Sequence, residues 1–125
     1  AGSDLAAIGT RAVRDGNDYV INGQKIWASF ANKADWIFVL ARTGERASRH
    51  KGLSYFLTSL DAPGIRVRPI RHMAGFEPFC EVFFDAVRVA EDQRLGRENE
   101  GWAVAMGTLA DERSGVEYSG CVWSL

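Results

Sequence analysis

Trp36-Ile37-Phe38-Val39-Leu40-Ala41 is a run of six apolar residues, closed by Asp35 before it and Arg42 after it. A short continuous run of this kind reads as a strand buried on both faces. Outward from it one theme repeats between Thr10 and Val89: short segments rich in Val, Ile, Tyr, Phe and Trp, separated by Gly, Asn, Asp and Pro. Arg11 to Arg14 and Tyr19 to Asn22 flank Asp15-Gly16-Asn17-Asp18, where Asp-Gly supplies the positive-φ residue that a tight hairpin needs. Asn22-Gly23 repeats that chemistry before Gln24 to Ser29, which predicts a three-strand meander. Leu53 to Leu60 and Glu81 to Val89 read as half-buried strands. Ala62-Pro63-Gly64 turns the chain into Ile65-Arg66-Val67-Arg68-Pro69-Ile70, whose arginines alternate with apolar residues. The expected class is therefore mainly β, a small antiparallel β-barrel of about seven or eight strands followed by one C-terminal α-helix.

The helix is expected after Arg94-Leu95-Gly96, where the period changes. Asn99 reads as its N-cap, and Trp102, Met106, Leu109 and Arg113 follow at spacings of three and four. This divides the chain into a β domain over 1–96 and the beginning of a helical domain over 97–125. The helical pattern still runs near Leu125, and the chain opens on Ala1-Gly2-Ser3-Asp4 with neither an initiator Met nor a signal-peptide pattern. Both ends read as cuts through something longer.

Composition narrows the function classes. The chain has 125 residues, 46% of them apolar and 25% charged, the profile of one globular domain rather than a coiled coil or a disordered tail. A formal net charge of −1 gives no global field for steering nucleic acid, and no apolar run is long enough to span a bilayer. Cys80 and Cys121 stand far apart without a second pair, so neither a disulfide framework nor a zinc site is expected, and no metal is proposed. The basic stretch Arg46, Arg49, His50 and Lys51 reads either as a solvated loop or as a clamp for phosphates; without an interleaved aromatic it is no nucleic-acid platform.

Several ordered pieces carry a resemblance. Ala1-Gly2-Ser3-Asp4-Leu5, Tyr19-Val20-Ile21-Asn22-Gly23-Gln24-Lys25-Ile26-Trp27, Ala34-Asp35-Trp36, Pro63-Gly64-Ile65, Glu81-Val82-Phe83-Phe84-Asp85 and Gly101-Trp102 occur in this order. In these pieces and their spacing the sequence resembles the middle β domain, with the first helix of the C-terminal domain, of an acyl-CoA dehydrogenase. The first piece is similar to the end of the family's Thr-Glu-Pro-Gly-Ala-Gly-Ser-Asp motif, and the likeness runs from Ala1 to about Gly115.

The resemblance implies FAD as cofactor, an acyl-CoA thioester as substrate and a trans-2-enoyl-CoA as product. It places Gly2, Ser3, Trp27, Ala28 and Ser29 beside the flavin, with the Ser3 hydroxyl also reaching the thioester arm, and Ser29 stands where Thr is common. It makes Glu112 the base that removes the α-proton, as in the branch with a Glu immediately before an Arg, and it sets Asp111 and Arg113 near substrate; in the other branch the base lies beyond Leu125. Ala110 departs from a frequent Asp, Ala90 from a frequent Pro, and Phe76-Glu77-Pro78-Phe79 from more polar sequences. A bacterial cytoplasm or mitochondrial matrix, electron-transferring flavoprotein or a similar acceptor, and a homodimeric or homotetrameric parent are implied as well. The piece alone is expected to be inactive and to hold FAD weakly or not at all. An acyl-CoA oxidase, nitroalkane oxidase or flavin monooxygenase of the same fold, and a non-catalytic β-barrel binding module, are the rival readings.

Overall fold

A computed structural model describes residues 9–29, 31, 33–45, 50–71, 79–113 and 121–124, with the backbone alone for 27, 29, 108–113 and 121–124. Among these residues eight strands and one α-helix follow in the order β1 (Arg11–Asp15), β2 (Asp18–Ser29), β3 (Trp36–Arg42), β4 (Leu53–Ser59), β5 (Ile65–Pro69), β6 (Phe79–Ala90), β7 (Arg94–Leu95), α1 (Gly101–Arg113) and β8 (Cys121–Ser124). The mainly β class, with a helix after the first seven strands, is thus as expected. The strands form one sheet, in the order β5-β6-β2-β1-β3-β4-β7, with β8 beside β3. Among the described residues the two ends of that path, β5 and β7, do not pair with one another, so the expected closed barrel is an open sheet.

The Asp15–Asp18 hairpin forms as its residues require. Arg14 pairs with Tyr19 and Asp15 with Asp18, and Gly16 sits at φ 63°. Asn22-Gly23, however, makes no turn. β2 runs straight through it as one strand of twelve residues, replacing the expected meander of three. The Asn22 side chain accepts the backbone N–H of Ala86 at 2.8 Å, and Ala86 takes φ 49° in a bulge of β6. Gly23 has φ 147°, and a Cβ there would stand 2.8 Å from the Thr10 Cα; its role is close approach of Thr10 and not chain reversal.

Trp36 to Ala41 forms the strand it promises, with Ile37, Val39, Leu40 and Ala41 fully buried. Leu53 to Phe56 are also all buried, so β4 is covered on both faces and does not alternate. One cover is α1. Gly101 lies on β4 so closely that a Cβ would meet the Ser54 carbonyl carbon at 2.5 Å, and Ala105 is fully buried in a cluster with Leu40, Leu53 and Tyr55. On β5, Arg66 and Arg68 face water while Ile65 and Val67 pack against the main core.

Three further expectations are corrected. Not every pairing is antiparallel, because β1 meets β3 in parallel at Arg11 and Arg42, and β8 runs parallel to β3 from Trp36 to Val39. The chain near Leu125 is β8 and not a continuing helix, its residues pairing with an edge of β3 that β1 leaves open. Asn99 also differs from an N-cap. It lies two residues before α1 at φ 66°, and its side-chain oxygen accepts the Thr43 hydroxyl at 2.6 Å. The Asn99 N–H donates to the Ser54 hydroxyl at 2.8 Å, which in turn touches the Thr43 hydroxyl at 2.6 Å. This ring through three residues, closed by the Asn99 backbone N–H, rather than a cap, fixes where the helix leaves the sheet.

Candidate functional site

Of the residues singled out from sequence, Gly2 and Ser3 lie outside the described residues, as do Arg46, Arg49, His72, Phe76, Glu77 and Pro78. Trp27, Ala28 and Ser29 form the last three residues of β2. Asp111, Glu112 and Arg113 form the last turn of α1. Ala28 is 2% exposed and pairs with Cys80, and Ser29 pairs with Phe79.

The end of β2 is not a regular ladder. Lys25 pairs with Val82 and Ala28 with Cys80, so three steps along β2 match two along β6. The extra residue, in the Ile26–Trp27 step, makes a β-bulge, a device that redirects the strand after it. Burial reports the same break: Tyr19, Ile21 and Lys25 face the core at odd positions, and after the bulge the buried residue is Ala28, at an even one. No local sequence signal marks this bulge, because it is defined by what β6 places opposite.

Lys25 is the residue to which sequence reasoning assigned no role. It is 3% exposed, and its ammonium donates to the Leu40 carbonyl on β3 at 2.7 Å. Burial away from water lowers its pKa from 10.5 to about 7. The neighbouring Ile26 is 44% exposed, the reverse of the ordinary hydrophobic arrangement. The available signal was parity, since Tyr19 and Ile21 facing inward carry Lys25 inward as well.

β2 ends, β6 begins and β3 begins at one end of the sheet, since β1 is antiparallel to β2 and parallel to β3. Ile26, Trp36 and Phe79 there are 44%, 43% and 38% exposed, three of the four large apolar side chains left exposed among the described residues. This leaves an exposed apolar rim beside the strand ends, a surface suited to an apolar ligand or partner.

The other end of the sheet holds a charged network. The Tyr19 hydroxyl donates to Glu98 Oε1 and accepts from Arg14 and Arg94, each at 2.8 Å. Desolvation, then the bond to Glu98, raises the Tyr19 pKa. The Arg14 guanidinium at 3.2 Å lowers that of Glu91. The network ties β1 and β2 to the segment entering α1. At Ala90 the N–H donates to the Gln93 side chain at 2.9 Å, a bond that proline cannot make. Beside the helix start, His50, Lys51, Arg97, Glu98 and Trp102 line a groove of about 690 Å³, with the His50 and Trp102 rings 5.6 Å apart.

Comparison with known proteins supplies the context for this geometry. Residues 1–87 match the family model described as acyl-CoA dehydrogenase, middle domain. The acyl-CoA dehydrogenase IpdE1 of Mycobacterium tuberculosis is 52% identical over 113 residues, covering 90% of this chain and 29% of that protein. A cyclohexane-1-carbonyl-CoA dehydrogenase of Geobacter metallireducens is 44% identical over 85% of this chain and 28% of its own length. The solved structure of the Tcur3481-Tcur3483 steroid ACAD superposes with a TM-score of 0.85 at 41% identity, over 92% of this chain and 30% of that one. The chain therefore spans less than a third of the relatives it matches. No helix among the described residues is long and apolar enough to cross a membrane.

Proposed function

The chain belongs to the acyl-CoA dehydrogenase family, and on that premise we propose that it is the flavin-facing part of a longer FAD-dependent enzyme that oxidises an acyl-CoA to a trans-2-enoyl-CoA. Residues 1–96 are the middle β domain in this reading and 97–125 the start of the C-terminal domain. The observation that carries it is the bulged end of β2, which brings Trp27, Ala28 and Ser29 to the one sheet end with an exposed apolar rim. Ring-bearing acyl groups are the proposed substrate class, from the cyclohexane and steroid substrates in the names of the relatives.

Each residue then has a task. Gly2, Ser3, Trp27, Ala28 and Ser29 hold FAD, which when bound supplies the acceptor for the hydride leaving the β-carbon. Glu112 removes the α-proton while the β-hydrogen leaves as hydride, so that two C–H bonds, one on each carbon, are broken and a C=C bond forms between them. A carboxylate performs this best near neutral pH when an apolar surrounding raises its pKa. Ala105, two helical turns before Glu112, is fully buried against the sheet, which supports a dry environment on that helix face. Ser3, Asp111 and Arg113 position the substrate, and the donors around the thioester carbonyl stabilise the charge that develops there. Electrons pass on to electron-transferring flavoprotein or a similar acceptor.

The test is anaerobic bleaching of the flavin band by acyl-CoAs of graded size, in the full-length parent and in its Glu112→Gln variant. Loss of the base is expected to slow bleaching by about 10²–10⁴-fold. Bleaching at the parental rate would move the base beyond Leu125. One neighbour, a prolyl acyl carrier protein oxidase with a TM-score of 0.83 at 30% identity, favours oxidase chemistry as a second reading. Oxygen uptake by the parent without an artificial acceptor distinguishes the two.

A further inference from the structure

We propose that Lys25 is a positioning residue for the flavin wall, pinning the bulge of β2 so that Trp27, Ala28 and Ser29 are presented in one register. The inference rests on the reading that these three residues border the flavin. Three observations carry it. Lys25 lies immediately before the irregular step, being the last residue of β2 in regular register with β6 before Ala28. Its amine reaches the Leu40 carbonyl on β3, two places away in the sheet order. Among the described residues β3 has no strand neighbour at that point on its β2-facing edge, since β8 pairs with Trp36 to Val39 and β1 arrives only at Arg42. Two strand spacings are about 10 Å, a gap that a lysine stem and its hydrogen bond together cross and a short side chain does not.

The arrangement also runs against the ordinary burial preference. Lys25 is buried and Ile26 is 44% exposed, although exchanging the two would bury the apolar side chain and hydrate the amine. A one-residue slip of β2 makes that exchange, moving every following side chain to the other face. The Leu40 bond holds against the slip, and places where a local rule is broken are where functional constraint is expected.

The experiment uses the full-length parent reconstituted with FAD, in the wild-type form and as Lys25→Met and Lys25→Gln. Methionine keeps the unbranched shape and removes the donor. The visible circular dichroism of bound flavin, the FAD dissociation constant and hydrogen exchange of the residue 26–29 amides are measured, with the residue 12–14 amides as reference. The expected result is a folded Lys25→Met protein with an altered flavin dichroism band, FAD bound about tenfold more weakly and 26–29 exchange about tenfold faster. A folded variant with unchanged dichroism, affinity and exchange overturns the proposal. If Lys25→Met does not fold, the same three measurements on Lys25→Gln decide; failure of both to fold also overturns it, since Lys25 would then be a general core residue. A wild-type parent that takes up no FAD would instead refute the flavin reading, and the exchange comparison would still test the pin.

Discussion

Alanine in place of glycine is expected to have opposite effects at two positions six residues apart in α1. At Gly101 a Cβ would stand 2.5 Å from the Ser54 carbonyl carbon and from the Tyr55 nitrogen, and 2.6 Å from the Ser54 Cα. These are backbone atoms of β4, a strand held on its other side by β3 from Leu53 to Ser59, so they do not move aside. Ordinary carbon contacts lie near 3.5 Å, and relief requires the helix to rise by about 1 Å and loosen the packing at Ala105. Overpacking of this kind costs about 1–3 kcal/mol. The intrinsic helical gain of alanine is at most about 1 kcal/mol and is smaller in the first turn, where the helical bonds are incomplete. Gly101→Ala should therefore destabilise by about 1–2 kcal/mol. At Gly107 nothing among the described residues lies within 4 Å of the added carbon and the residue is exposed, so the propensity gain of about 0.5–1 kcal/mol stands alone. Urea denaturation of the two variants against the wild-type chain reads the difference, and for a chain of this size each kcal/mol moves the melting temperature by about 4 °C. Gly101→Ala at or above wild-type stability would refute the docking of α1 on β4.

Two further outcomes follow from the buried polar groups. Tyr19→Phe keeps the ring packed edge-on against Phe56 and removes the acceptor of Arg14 and Arg94 and the donor to Glu98; a loss of about 1–2 kcal/mol is expected in urea titration, and a loss below about 0.3 kcal/mol would refute the network. Lys25, with a folded pKa of about 7 against 10.5, is neutral in the folded state above pH 7 while the unfolded chain still binds its proton. Stability from this group should thus rise from about pH 7 upward, with a limiting slope of about 1.4 kcal/mol per pH unit, and should be constant below pH 7. The same titration of Lys25→Met should lack that component between pH 7 and pH 9; parallel curves for the two proteins would refute it.

Much of this protein is legible in its amino acids because the signals involved are short-range. Apolar Trp36 to Ala41 needs cover on both faces wherever it lies, Asp15-Gly16 turns a chain in any context, and Arg66 and Arg68 seek water beside Ile65 and Val67. The ordered motifs that marked the acyl-CoA dehydrogenase family are likewise a property of the chain in one dimension. Glycine 23 shows the limit of such reading: the Asn-Gly pair that turns a hairpin serves here inside a strand, where Thr10 and Ala86 use it.

Tertiary structure alone decided the register at the end of β2. Whether Lys25 or Ile26 enters the core depends on where Val82 and Cys80 fall opposite them and on the Leu40 carbonyl of β3 that takes the amine, all supplied from other parts of the chain. Hydrophobicity by itself favours the isoleucine inside. The parity of Tyr19 and Ile21 points Lys25 inward and hydrophobicity points it outward; the cost of burying an amine is offset only when three strands have assembled around it, so the fold decides between the two signals.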